Sequence, residues 1–318
     1  MTNLKEIPIF YSINDKYVPY LSVSIESIIE NASDDNIYRI KILYQKLSKG
    51  SIKELSKLNR NNVKIEFISM DEDFTEKMGS EHTKLRGDYF TYTIYFRLFI
   101  AEMFDELDKA IYLDADTVVN CDIADFYHID LQGNLLAAAP DTFATDNPET
   151  VKYVQDALGI PINKYFNSGV LLMDLAQFRE IKFASRFLKF LNTYQLDVLA
   201  ADQDYLNLMA FGHVLPLERI WNATPTIQKV DDSNPQIIHY CLFYKPWHYS
   251  DIQNEKYFWN YASNSNYYVL LRQERDLYSE EDKQNDNKNV HYLLEKALSV
   301  VEAGETRKKI ESSRALEL

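Results

Sequence analysis

The chain has 318 residues, enough for one large domain with a generous core or for a large domain carrying a smaller appendage, and the second arrangement is favoured. A formal net charge of −14 argues against nucleic acid as the main partner, because a phosphate backbone is bound by a basic face, and it requires a local cation wherever an anionic small molecule is admitted. With no basic flank and apolar run of the signal-peptide kind at the N-terminus, and no apolar stretch near the ~20 residues that cross a bilayer, a soluble cytoplasmic protein is expected, with Cys121 and Cys241 as buried free thiols without a role.

In chain order, "IPIFYSI" (7–13) reads as a strand, and Pro19 suits the first turn of a helix through "YLSVSIESII", where its fixed φ is helical and no N–H is needed. "RIKILYQ" (39–45) is a second strand. Ser51 and Glu54 then stand at capping-box spacing for the helix "IKELSKLN", and "VKIEFISM" (63–70) is a third strand. After a polar segment, "TYTIYFRLFIAEMF" reads as a buried helix that delivers the chain to the strand "AIYLD". Strands alternating with helices predict an α/β fold, a Rossmann-like, mostly parallel sheet covered on both faces.

Further on, "NLLAAAPD" and "NSGVLLMDL" read as strands, "ADQDYLNLMAFG" as a helix with Asp202 at its N-cap, and "HVLPLE" and "QIIHYC" as short strands. From about residue 250 the composition turns to Tyr, Asn, Glu and Lys. Val290, Leu293, Leu294, Ala297, Leu298 and Val301 recur at helical spacing, so residues 251–318 are expected to form a docked helical extension on a domain spanning 1–250.

The stretch "AIYLDADTVV" ends an apolar run in two carboxylates. Ligands of open parallel sheets sit beyond the carboxyl ends of the strands, which is where Asp114 and Asp116 fall. Residues two apart on a strand face the same side, so the pair repels itself unless a cation neutralises it, and a hard divalent ion is the natural partner. An EF-hand loop beginning at Asp114 fails, because Val119 stands at its sixth position where glycine is required. The pattern also resembles the haloacid dehalogenase phosphatases, whose first aspartate is a nucleophile. Three strands precede it here, however, and the nearest candidate for the completing acidic pair, "VDDSNP", lies in polar surroundings.

Six separated motifs in one order, "INDKYVPYLSVSIESI", "TIYFRL", "YLDADTVV", "FNSGVLLMDL", "ADQDYLN" and "HYCLFYKPWH", resemble the retaining glycosyltransferases of family 8, the group of bacterial lipopolysaccharide galactosyl- and glucosyltransferases and glycogenin. The resemblance runs from about Ile7 to His248. It implies a GT-A fold, a UDP-sugar donor and a manganese ion, with magnesium as the alternative. Asp114, Asp116 and His239 are then the metal ligands, and an imidazole beside two carboxylates favours manganese. Lys245 pairs with a phosphate, Tyr17 offers a face to uracil, and Ser12, Asn14 and Ala115 complete the nucleotide site, with Asn14 standing where the family usually has Asp.

By the same resemblance Arg97, Asp141 and Asn167 contact the donor sugar, and Asp202 and Gln203 lie nearest the reaction. Gln203 is a poor nucleophile, so same-face attack by the acceptor is favoured over double displacement. The expected activity is hexose transfer, galactose ahead of glucose, to a glycan on a glycolipid or surface glycoprotein. Contact with a membrane surface and the oligomeric state stay open. A dehalogenase-like phosphatase and a non-catalytic nucleotide-sugar-binding regulator are the alternatives.

Overall fold

The computed structural model describes residues 5–70, 92–194, 196–226 and 233–313. The strands are β1 (Lys5–Ile13), β2 (Asn36–Tyr44), β3 (Val63–Ser69), β4 (Lys109–Leu113), β5 (Thr117–Val119), β6 (Leu136–Ala138), β7 (Val170–Asp174), β8 (Val214–Pro216) and β9 (Ile237–His239). Seven form one sheet in the order β3-β2-β1-β4-β7-β6-β8, and β5 pairs with β9 in a separate two-stranded sheet. The β1/β2, β2/β3, β1/β4 and β6/β8 pairs are parallel, whereas β7 runs antiparallel to both β4 and β6.

The two-residue period of the strands divides the core between the faces of this sheet. Ile7, Ile9, Tyr11, Ile40, Ile42, Ile111 and Leu113 enter one cluster with the helix Val18–Asn31, which carries Pro in its first turn. Phe10, Leu43, Ala110, Tyr112, Leu171 and Met173 enter the other. Ala297, Val300 and Ile310, from the C-terminal helices, are buried in that second cluster. The helix Glu280–Ala303 begins ten residues before the expected Val290, on a capping box formed by Ser279 and Asp282, and it packs against the helix Pro148–Asp156.

Several local expectations are corrected. The second helix spans Lys49–Ser56 and is capped by Ser48, whose Oγ accepts from Ser51 N; Ser48, not Ser51, has the extended backbone a cap needs. The expected helix through "TYTIYFRLFIAEMF" is a 3-10 helix over Tyr92–Phe99 that becomes α-helical only at Ile100–Met103. Its aromatic residues are poor α-helix formers, and the burial of Phe96, Leu98 and Phe99 rather than propensity fixes the stretch. Asp202 does not cap its helix. Ala201–Met209 starts one residue earlier, and Asp204 closes the first turn by accepting from Leu199 N and Ala200 N. The cysteines are free but half-buried. The acidic pair of "VDDSNP" lies outside the described residues. No helix among those described is long and apolar enough to cross a membrane.

Candidate active site

The carboxyl ends of β1, β4, β6 and β9 and the amino end of the antiparallel β7 converge on one cavity of about 430 Å³. Asp114 and Asp116 occupy the turn between β4 and β5. His239 ends β9 opposite Thr117, so the β5/β9 pairing brings a residue more than 120 positions away onto the two carboxylates. One ligand atom from each of the three lies within 4.8 Å of the others. His239 Nε2 is 3.2 Å from Asp116 Oδ1 and 3.7 Å from Asp114 Oδ2.

The residues around this group hold it in place. Asp114 accepts from Tyr112 OH (2.9 Å) and from Arg97 (2.9 Å), whose guanidinium lies 4.3 Å from the Tyr112 ring centroid. Arg97 is buried. It also donates to the Ser168 carbonyl (2.6 Å), and its Nε lies 3.2 Å from Asp202. Asp116 is paired with the buried Lys245. Burial alone would raise the Asp116 pKa, but the Lys245 ammonium and His239 outweigh it and hold this carboxyl below the ordinary range. Lys245 is in turn held above its ordinary value: burial works against the charged form, and Asp116 overcomes it.

Whether these residues suit a metal ion can be judged from two contacts. His239 Nδ1 is 3.2 Å from Asn222 Oδ1, and Asn222 Nδ2 donates to Asn167 Oδ1 (3.0 Å). The Asn222 amide thus presents an oxygen that Nδ1–H can donate to, so Nε2 is the ring nitrogen that faces the carboxylates and that would bind an ion beside them. Gly169, just before β7, leaves the space the triad occupies: a Cβ on it would lie 2.2 Å from His239 Cε1 and 2.6 Å from Asp114 Oδ2. Two carboxylates and a correctly presented imidazole on a glycine-lined floor fit a divalent ion with oxygen and nitrogen ligands.

Beside the triad, Asp141 caps the helix Thr142–Asp146 through Ala144 N, and its Oδ2 accepts from Asn167 Nδ2 (3.1 Å) and Gln203 Nε2 (2.9 Å). Gln203 Nε2 also donates to Tyr165 OH (3.0 Å), and Gln203 Oε1 accepts from Ser168 N (3.0 Å). Tyr165 donates to Asp204, which accepts as well from Tyr153, Leu199 N and Ala200 N. Asp202 is buried, and burial raises its pKa despite Arg97.

The structure therefore brings Tyr17, Arg97, Asp114, Asp116, Asp141, Asn167, Asp202, Gln203, His239 and Lys245 into one cavity wall. Ser12, Asn14 and Ala115 are not among the described lining residues. Asn14 instead uses its side-chain oxygen to cap the turn Asp15–Tyr17, and Ala115 is buried between the two aspartates. Tyr112, Asn222, Tyr165 and Asp204 were not legible as site residues, whereas Gly169 stood beside Asn167 as a small residue that permits close approach. Of the illegible residues only Asp204, three residues beyond the start of its helix and two from Asp202, carried a compositional signal.

Asp204 lends itself to a direct test of this scaffold. It is fully buried, and burial pushes its pKa up to about 6 against the bonds from Tyr165, Ala200, Tyr153 and Leu199. Asp204→Ala leaves the buried Tyr153 and Tyr165 hydroxyls, and the half-buried Ala200 N, without this acceptor and is expected to cost about 3–5 kcal/mol of stability, read as a lowered midpoint in urea. An unchanged midpoint would contradict the network.

The sheet order is that of the GT-A fold, with the paired carboxylates and the histidine at its strand ends. The chain belongs to glycosyltransferase family 8, whose sequence model, Glycosyl transferase family 8, matches residues 8–251. Among its relatives, the glycosyltransferase GlyF of Streptococcus pneumoniae serotype 4 is 25% identical over 310 residues, covering 91% of this chain and 72% of GlyF. The lipopolysaccharide 1,2-glucosyltransferase of Escherichia coli K12 is 28% identical over 254 residues, covering 75% of this chain and 72% of that protein.

Solved structures agree in fold. The galactosyltransferase LgtC, in complex with donor and acceptor sugar analogues, superposes with a TM-score of 0.63 at 24% identity, covering 82% of this chain and 96% of LgtC. The bifunctional glycosyltransferase WbbM gives a TM-score of 0.72 at 23% identity over 85% of this chain, which spans about half (52%) of WbbM.

Proposed function

We propose that this family 8 transferase is metal-dependent and retaining, and that it moves a hexose, galactose ahead of glucose, from UDP to a glycan acceptor on a glycolipid or surface glycoprotein in the cytoplasm. Residues 1–250 form the transferase domain and 251–318 its helical extension. The observation that carries the reading is the convergence of Asp114, Asp116 and His239 on one cavity with Asp141 and Gln203. The names of the relatives divide between glucose and galactose, as in the glucosyltransferase of E. coli and the galactosyltransferase LgtC.

A bound divalent ion, manganese before magnesium given the His239 nitrogen, supplies Lewis-acid stabilisation of the charge that leaves on the diphosphate. In a chain of net charge −14, Arg97 and Lys245 are the local cations that make an anionic donor acceptable here. Lys245 answers a phosphate, Tyr17 presents its 41% exposed side chain to uracil, and Ser12, Asn14 and Ala115 complete the nucleotide side. Arg97 keeps Asp114 and Asp202 in place, and Asp141 and Asn167 receive donor hydroxyls.

Asp202, one of the two carboxylates that flank Gln203 in sequence, is buried and paired with Arg97, which argues against its service as a covalent nucleophile. Gln203 is fixed through both ends of its amide, with an oxygen able to stabilise positive charge at the sugar. The acceptor hydroxyl then attacks C1 on the face that UDP leaves, and its proton passes to the departing phosphate oxygen.

The reading is tested by UDP release from UDP-glucose, UDP-galactose and UDP-N-acetylglucosamine with manganese and with chelator. Metal-dependent release from one hexose donor is expected. UDP binding without release from any donor would favour the regulator instead, and phosphate release from simple phosphomonoesters the phosphatase. Lys245→Ala should weaken UDP binding by ~1.5–3 kcal/mol, the value of a charged hydrogen bond. Titrations of the two proteins at equal salt check this, and equal affinities would remove Lys245 from the phosphate site.

A further inference from the structure

The matched family region ends at residue 251, yet the cavity has a wall from beyond it: Leu293, on the helix Glu280–Ala303, lines the same space as the triad and Gln203. We propose that this helix forms the acceptor subsite, with Leu293 packing on the apolar face of the sugar ring that receives the hexose. The inference rests on the transferase reading given above.

The cavity has two ends of different chemistry. At one, the triad, Lys245 and Tyr17 are charged or polar and suit a nucleotide diphosphate. Hydrogen bonds lead away from it in unbroken order: His239 to Asn222, Asn222 to Asn167, Asn167 to Asp141, Asp141 to Gln203, Gln203 to Tyr165, Tyr165 to Asp204, and Asp204 to Tyr153. Tyr153 belongs to the helix Pro148–Asp156, on which the helix Glu280–Ala303 packs. Phe143, Val154, Leu199 and Leu293 all line the cavity, Val154 and Leu199 beside Tyr153 at the far end of this chain of bonds, and none carries a charge.

A pyranose has one face of C–H groups, which apolar and aromatic side chains bind, while its hydroxyl edge stays directed to polar groups. A sugar laid on this wall turns its hydroxyl edge toward Asp141 and Gln203, where the donor carbon must lie. Its attacking oxygen forms the new C1–O bond as the C1–O bond to phosphate breaks. The electron pair leaves on UDP, and the acceptor proton goes to that phosphate oxygen.

The wall is firmly held. Ala297 and Val300 of the helix are buried in the main core, and Asp286 accepts from both Tyr249 and Tyr278 at 2.7 Å. Leu293 thus meets a ligand from a fixed backbone, which is what a specificity contact requires.

The test uses the full chain, with octyl β-glucoside, octyl β-galactoside and octyl β-N-acetylglucosaminide as acceptor probes, and separately measures UDP release without acceptor. Leu293→Ala is expected to raise the acceptor KM about tenfold while leaving acceptor-free UDP release within about twofold of wild type. Leu293→Trp should fill the subsite and suppress transfer but not hydrolysis. Tyr292→Ala, at a neighbouring residue that is 67% exposed and outside the cavity, should change neither. An unchanged acceptor KM in Leu293→Ala, or a wild type that releases UDP yet uses none of the three probes, overturns the wall assignment. A wild type that releases no UDP from any UDP-hexose instead overturns the transferase reading, and this inference with it.

Discussion

Asp116→Asn is expected to lower UDP-sugar turnover by a thousandfold or more, because the loss of a charged ligand removes about 4 kcal/mol of transition-state stabilisation. The same change leaves the buried Lys245 ammonium without its anion, so stability should also fall, by roughly 3 kcal/mol. A second substitution separates the two effects. In Asp116→Asn with Lys245→Met the stranded charge is gone, so the unfolding midpoint should recover while turnover stays lost. Manganese titration by calorimetry gives an independent reading and should find no tight site in either variant. Recovery of turnover along with stability would mean that Asp116 serves the fold and not the chemistry.

Gly169→Ala is expected to impair the same site for a different reason. The added Cβ meets the side chains of His239 and Asp114 rather than backbone, so both ligands must move away from the floor of the cavity. Because they move toward open space, the fold should tolerate the change better than the site does. A loss of metal affinity of at least tenfold, with turnover reduced in proportion and the unfolding midpoint lowered by less than about 1.5 kcal/mol, is the expected pattern. Wild-type metal affinity in this variant would show that the triad's present spacing does not matter for binding.

These two residues illustrate how differently a site is written in a sequence. Asp114, Asp116 and His239 could be singled out because charged or ligating residue types stand at the ends of apolar strands, where burial without a partner is costly. Gly169 lay inside a quoted motif, but its necessity depends on a side chain seventy residues later, and that contact exists only once β5 pairs with β9. Asn222, which orients His239, sits in "RIWNATP", a stretch with no periodicity to mark it.

The misread caps have the same origin. Ser48 and Ser51 compete for one helix start, and Ser51 Oγ is instead donated to Asp15 Oδ1, a tertiary contact (2.6 Å) that no local pattern announces. Asp202 looked like an N-cap because acidic residues favour helix starts, but the buried Arg97 claims it. The parallel half of the sheet was readable from strand and helix alternation. The antiparallel insertion of β7 was not, since both faces of that strand are buried and its apolar run carries no directional signal.

The central claim, metal-dependent transfer with retention at the Asp114, Asp116 and His239 site, is tested most directly by the configuration of the first sugar released. UDP-galactose and UDP-glucose, both α-linked, are incubated with enzyme and manganese, quenched with chelator within minutes, and the anomeric proton signals are recorded before mutarotation. The account predicts that the α-anomer appears first, and that no sugar is released when chelator is present from the start. A β-anomer appearing first, or release that proceeds equally well in chelator, would contradict it.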